Sequence, residues 1–250
     1  MSDSLFQYLL RLGDDRLVLS HRLSEWCGHG PILEEDIALT NIALDLVGQA
    51  TLYLKLAGET EGKGRNEDAL AYFREAIDYR NVQLVELPKG DYAFTMVRQF
   101  FFDVFSFHVL EQLQSSRNAE LAGIAAKGFK EVRYHVRHSS EWVTRMGDGT
   151  QESHDRAQNA VNHLWRFTTE MFQADAIDRE MAAAGIGADV ESIKPKWEAI
   201  VFDVLKRATL TIPDDPPAMT GGRKGRHTEH LGHMLAEMQI VARSHPTGAW

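Results

Sequence analysis

Apolar residues recur at helical spacing along almost the whole chain, and no useful length alternates in the two-residue rhythm of a strand. Leu5, Tyr8, Leu9, Leu12, Leu17, Leu19, Leu23 and Trp26 outline a first helix from about Ser4 to Cys27. It ends at Gly28-His29-Gly30-Pro31, where glycine supplies a left-handed cap and proline cannot continue the helix. A second helix is predicted from about Glu34 to Ala57, with Glu34, Glu35 and Asp36 at its positive end. Gly58 to Arg65 reads as a polar loop, and Glu67 to Tyr79 as a short, charged third helix. Asn81 to Asp91 reads as a turn-rich connection.

The fourth helix, about Tyr92 to Ser116, is the most aromatic, and the fifth runs from about Asn118 to Met146 before Gly147-Asp148-Gly149. A sixth is expected from about Ser153 to Gln173, resuming after a break to Ala184, and a seventh from about Val190 to Ala208. Ile212 to Arg226 carries Pro, Gly and basic residues and is expected to be irregular; a last helix covers about Thr228 to Arg243. The pattern predicts an all-α chain, one domain over 1–250, in which the first, second, fourth and fifth helices form a four-helix bundle core with additional helices around it.

Composition narrows the function. The 250 residues are 44% hydrophobic and 25% charged, as in an ordinary globular protein. A net charge of −9 with no basic stripe speaks against a nucleic-acid partner. The single cysteine, Cys27, excludes a disulfide framework, fits a reducing compartment and reads as a small buried side chain. The start has no signal-peptide pattern, and no segment reaches the roughly 18–20 apolar residues that cross a bilayer, so a cytoplasmic protein with no membrane partner is expected.

The candidate chemistry lies in the second and fifth helices. Helical carboxylate metalloproteins place a Glu-x-x-His pair on the inner face of such helices, because residues three apart converge on one metal. In Asp45-Leu46-Val47-Gly48-Gln49 the Glu slot holds Leu46 and the His slot holds Gln49, neither a useful ligand. In Glu131-Val132-Arg133-Tyr134-His135 the His slot holds Tyr134, although Glu131 and His135 still share a face. The preferred account is a degenerate site, its metals replaced by buried ion pairs. A metalloenzyme using Asp45, Glu131, His135 and His108 or Glu111 is the rival. Asp14 or Asp15 could face inward from the first helix, though solvent-facing acids are the preferred reading, and His108 with Glu111 reads as a buried hydrogen-bonded pair.

Elsewhere signals are thin. Thr228 reads as an N-cap, and Glu229, His230 and His233 match a zinc-protease helix only loosely, since such a site needs a third protein ligand. Gly221-Gly222-Arg223-Lys224-Gly225-Arg226 reads as a flexible basic loop, open to a phosphate-bearing ligand, an acidic surface or solvent. No Walker loop, dinucleotide fingerprint or nucleophile elbow occurs.

Several motifs together carry a resemblance: Leu12-Gly13-Asp14, Arg22-Leu23-Ser24-Glu25-Trp26-Cys27-Gly28-His29, Leu44-Asp45-Leu46-Val47-Gly48-Gln49-Ala50, Leu84-Val85-Glu86, Lys130-Glu131-Val132-Arg133-Tyr134-His135, Leu164-Trp165-Arg166-Phe167-Thr168 and Gly225-Arg226-His227-Thr228-Glu229-His230-Leu231-Gly232. From near the first residue to Trp250 the chain resembles the C-type subunits of the phenylacetyl-CoA epoxidases. The resemblance implies a ferritin-like fold and a multicomponent oxygenase that converts phenylacetyl-CoA to its ring 1,2-epoxide. It implies that a homologous catalytic subunit, the A-type, carries the di-iron centre, with this chain as its structural partner. It further implies a B-type subunit and a reductase bearing FAD and an iron–sulfur cluster; no cofactor is expected in this chain. A contribution to the CoA-ester site is implied as well, from Asp78, Tyr79, Arg80 and Asn81 and from Arg179, Glu180 and Met181. Arg80 and Arg179 suit that role, because arginine reads phosphates by charge and paired hydrogen bonds.

Overall fold

The computed structural model describes residues 2–214 and 216–248, and among them there are helices and no strands. The four long helices are α1 (Ser2–Ser24), α2 (Leu33–Glu61), α5 (Tyr92–Leu113) and α6 (Ala119–Gly147). Between α2 and α5 lie α3 (Glu67–Tyr72), a 3-10 turn over Ala76–Asp78, and the four-residue α4 (Gln83–Glu86). After the bundle come α7 (Gln151–Leu164), two 3-10 turns over Trp165–Phe167 and Thr169–Phe172, α8 (Ala176–Ala183), α9 (Val190–Arg207) and α10 (Glu229–Ser244). Short loops make hairpins of α1 with α2 and of α5 with α6, and one long crossover joins the hairpins; this is the ferritin-like, all-α arrangement.

Burial separates the four helices into two kinds. Every residue of α1 from Tyr8 to Ser20 is buried, and so is every residue of α5 from Thr95 to Ser106. These two are inner helices wrapped on all sides, whereas α2 and α6 each keep an outward face. Gly13 lets α1 and α2 close on each other: a Cβ there would stand 2.8 Å from Leu54 Cδ2. Gly58 does the same for the crossover, since a Cβ there would lie 2.0 Å from the Arg65 carbonyl oxygen. Gly58 therefore sits inside α2 rather than ending it, and the helix stops at Gly62, whose φ of 69° is the left-handed cap.

Two other boundaries differ from the expected ones. The third helix ends at Tyr72 instead of Tyr79, because the chain turns Arg74 inward onto the buried carboxylate of Asp14. The sixth helix ends at Leu164, and the tighter turns after it swing Glu170 towards the backbone N–H groups of Gly221, Gly222 and Gln83. Those bonds pin the 221–226 loop, so it is not the flexible loop expected; Gly222–Lys224 is a 3-10 turn. Finally, α2 is long and apolar enough to cross a membrane by length and composition, contrary to the expectation, with 44% of its most apolar window buried inside the fold.

Candidate functional site

Arg16 of α1 lies inside the bundle, bonded to Gln49, the residue that stands in the histidine slot of a Glu-x-x-His register. Its side chain is 1% exposed, and its guanidinium donates to Gln49 Oε1 on α2 (2.7 Å), to Ser106 Oγ on α5 (3.1 Å) and to the Leu12 carbonyl (3.0 Å). It also lies over the Tyr53 ring, 4.9 Å from the centroid. Gln49 passes the chain on, donating to Glu131 Oε2 on α6 at 2.9 Å. All four long helices thus meet in one run of hydrogen bonds around a single fixed cation.

A second layer links α2, α5 and α6. His135 Nε2 lies 3.0 Å from Asp45 Oδ2, and His138 Nε2 lies 2.7 Å from Glu35 Oε2, which also accepts from the Tyr92 hydroxyl at 2.7 Å. Asp103 accepts from Gln99 at 2.6 Å and from Ser139 at 2.8 Å. Burial pushes its carboxyl up to about 7, against the pull of His135 and of those two hydrogen bonds. Burial and then Glu35 raise the Tyr92 phenol, which acts as a donor throughout.

These groups do not fit a dinuclear iron centre. Leu46 is buried but apolar, the amide of Gln49 is taken by Arg16 and Glu131, and a guanidinium repels a cation at the same spot. Among the described residues no group of three or more His, Cys, Asp or Glu side chains is placed to hold a metal ion. Tyr134 proves not to occupy an inward slot: it is 42% exposed and stacks on His138, while His135 takes the inward position. His108 Nδ1 is 3.4 Å from Glu111 Oε2, a contact at the surface margin, since the Glu111 side chain is 45% exposed.

The remaining polar residues of α1 tie down the segments around it. Asp14, expected at the surface, is 0% exposed and pairs with Arg74 while accepting from the Arg80 backbone N–H at 2.8 Å. Burial works against the charge of Arg74, but Asp14 outweighs it and holds that guanidinium's pKa above its usual value. Asp15, also expected outside, pairs with Arg223 at 2.8 Å and accepts from the Val82 N–H at 2.8 Å. Arg11 reaches Asp175 and Asp178 at 2.6 Å each, and despite partial burial this takes Asp175 down to about 2. Arg22 holds the carbonyls of Glu86 (2.9 Å) and His230 (2.9 Å), and Glu86 in turn receives His227 at 2.8 Å, Asn81 at 2.9 Å and the Thr228 N–H. Thr228 therefore stands at the N-cap of α10 without capping it through its side chain. His233 is exposed, and Cys27, expected to be buried, is exposed beside Thr40.

The seven candidate substrate residues fall on two segments that meet the same edge of α1. Arg80 donates to Gln7 Oε1 at 3.3 Å, and Glu180 accepts from Ser4 Oγ at 2.6 Å; Ser4 and Gln7 are three apart and share a face. Tyr79, Asn81 and Met181 are each 0% exposed and belong to the packing, whereas Asp78, Arg80, Arg179 and Glu180 reach the surface. Arg179 lines a polar groove of about 400 Å³ with Lys224 and Arg226, and pairs with Glu191 at 3.0 Å. Sequence reasoning missed Arg74, Glu170, Arg223 and His227. For Arg74 and Arg223 the one signal was the acid pair Asp14-Asp15, set in a leucine-rich helix; Glu170 and His227 had none.

Two comparisons bear on this arrangement. The profile of the family described as "Phenylacetic acid catabolic protein" matches residues 1–250. The chain is 49% identical over 248 residues to the C-type subunit of the 1,2-phenylacetyl-CoA epoxidase of Escherichia coli (strain K12), spanning 99% of this chain and 100% of that one.

Proposed function

The chain belongs to the phenylacetic acid catabolic protein family, and we propose that it is the non-catalytic, structural subunit of a phenylacetyl-CoA epoxidase complex. In this reading it stabilises a homologous di-iron subunit in the cytoplasm, and the FAD and iron–sulfur chemistry resides in a reductase component. The observation that carries the reading is Arg16: a buried guanidinium, hydrogen-bonded through each of its three nitrogens, joins the four bundle helices directly or through Gln49, beside the slots a metal pair would need. The rival, a self-sufficient di-iron oxygenase, would have to recruit Asp45, Glu131 and His135 from partners they already hold.

The surface-reaching residues Arg80 and Arg179 form the edge this chain offers to a CoA ester bound mainly elsewhere in the complex, with Asp78 and Glu180 beside them. Arg179 can release the exposed Glu191 for a phosphate at small cost, because exposed ion pairs contribute only about 0–1 kcal/mol.

Co-expression with the other subunits, separation of the chains and metal analysis test the reading. Iron is expected with the partner and well below one atom per molecule here. Two tightly held irons in this chain, or loss of its own turnover in His135→Ala, would establish the rival instead.

A further inference from the structure

We propose that the outward faces of α2 and α6 together form the docking surface for the partner subunit, and that the partner presents a helical surface with an apolar ridge flanked by carboxylates. The inference rests on the subunit reading above and adds to it a place and a chemistry.

A helix on the surface of a monomer has one apolar stripe and a polar opposite side, and a helix apolar all round is a buried one. α2 breaks that rule. Its inward side carries Leu39, Ile42, Leu46, Ala50 and Tyr53 into the core. Its outward side carries Leu33 (72% exposed), Ile37 (52%), Leu44 (63%) and Val47 (38%), which fall on one stripe at 100° per residue. Gly48 lies beside this stripe, and a Cβ added there would meet nothing within 4 Å, so another backbone can come close. The apolar character of α2 is therefore explained only if both sides are covered, one by this core and one by something else.

Charge selects what covers it. α6 runs alongside α2, bound through Asp45–His135 and Gln49–Glu131, and on its outward side stand Tyr134, Lys127, Lys130 and Arg133. Among the described residues neither lysine nor Arg133 is in an ion pair. On a chain of net charge −9, this is a cationic border left without its own carboxylates. A partner that brings carboxylates to it gains both attraction and register. From Leu33 to Val47 the ridge is about 21 Å long. With the α6 axis some 8–10 Å away and each helix about 10 Å across, the face covers on the order of 400 Å² in projection, about half of the ~800 Å² each partner gives to a stable interface.

The test uses the chain co-expressed with the other epoxidase subunits. Leu44→Glu with Val47→Glu is expected to weaken retention of the partner subunit about tenfold or more, because charge is forced into an apolar contact. Lys127→Glu with Lys130→Glu and Arg133→Glu, all exposed and without effect on the fold, should weaken it with a steep salt dependence. Ile240→Glu, an exposed apolar position on α10, should leave it unchanged. Hydroxyl-radical footprinting of the wild-type complex needs no variant: Leu33, Ile37, Leu44 and Tyr134 should become protected. Unchanged footprints at these residues, with the wild-type complex intact, would move the surface elsewhere and leave the subunit reading standing. Failure of the wild-type chain to associate with any subunit would remove that reading as well. Loss of binding to mixed phosphatidylcholine–phosphatidylserine vesicles in Leu44→Glu/Val47→Glu, with subunit retention unchanged, would show a membrane face and overturn the proposal.

Discussion

Arg16 and Asp103 are both buried, in contrasting surroundings. Three oxygens and the Tyr53 ring surround the Arg16 guanidinium. Removing it strands Gln49 Oε1, Ser106 Oγ and the Leu12 carbonyl, so Arg16→Ala should cost about 3 kcal/mol, which for a chain of this size lowers Tm by about 6–12 °C. Calorimetry of Arg16→Ala checks this, and adding Gln49→Leu should recover part of the loss. Asp103 has only two donors, and burial raises its carboxyl to about 7 from the ordinary 3.8. A raised folded-state value means that the fold holds the proton more tightly than the unfolded chain does. Its contribution to stability is then full below about pH 4 and is lost as the pH rises through about 7. Asp103→Asn should flatten the fall in urea midpoint from acidic to neutral buffer, and an unchanged pH profile would place the proton elsewhere. At this scale the missing ligands, Leu46 and Gln49, could be read directly from helical spacing. The guanidinium that takes their place could not, because Arg16 meets Gln49 only through the α1–α2 hairpin, 33 residues away in sequence.

At the scale of elements, α1 is the organising helix: its polar side chains each secure a segment that has little core of its own. Asp14 with Arg74 fixes the crossover, Asp15 with Arg223 fixes the 221–226 loop, and Arg11 fixes the start of α8. Breaking one partner of a buried pair leaves an uncompensated charge, at about 3–5 kcal/mol. Arg74→Ala should therefore be as damaging as Asp14→Ala, while the double variant should be less harmful than the sum. A double-mutant cycle in denaturant measures the coupling, and simple additivity would mean the two side chains act independently. Gly58→Ala should loosen the α2–crossover junction, because its Cβ meets the Arg65 carbonyl; faster proteolysis after Glu61 would report it. The long helices were legible from apolar periodicity and from Gly28, Gly30 and Pro31. The short ones were not, since α3, α4 and the turns around Glu170 are shaped by ion pairs and hydrogen bonds to residues about 50 or more positions distant.

At the scale of the whole molecule, the two wrapped helices and the two half-open ones give the bundle a direction. Its inside is closed around a cation, and its outside offers one apolar face. Composition and charge spoke against nucleic acid, and the motifs pointed to the family. The asymmetry between α2 and α1 could not be seen before the fold was known, because both read as apolar helices. Above all, the proposed reading has Arg16 and its partners stand in place of a metal pair. Calorimetric titration of the purified chain with ferrous iron under anaerobic conditions tests this most directly. The expected result is no saturable uptake, with the thermal transition unmoved by iron. Uptake of two irons per chain, with a rise in Tm, would contradict it.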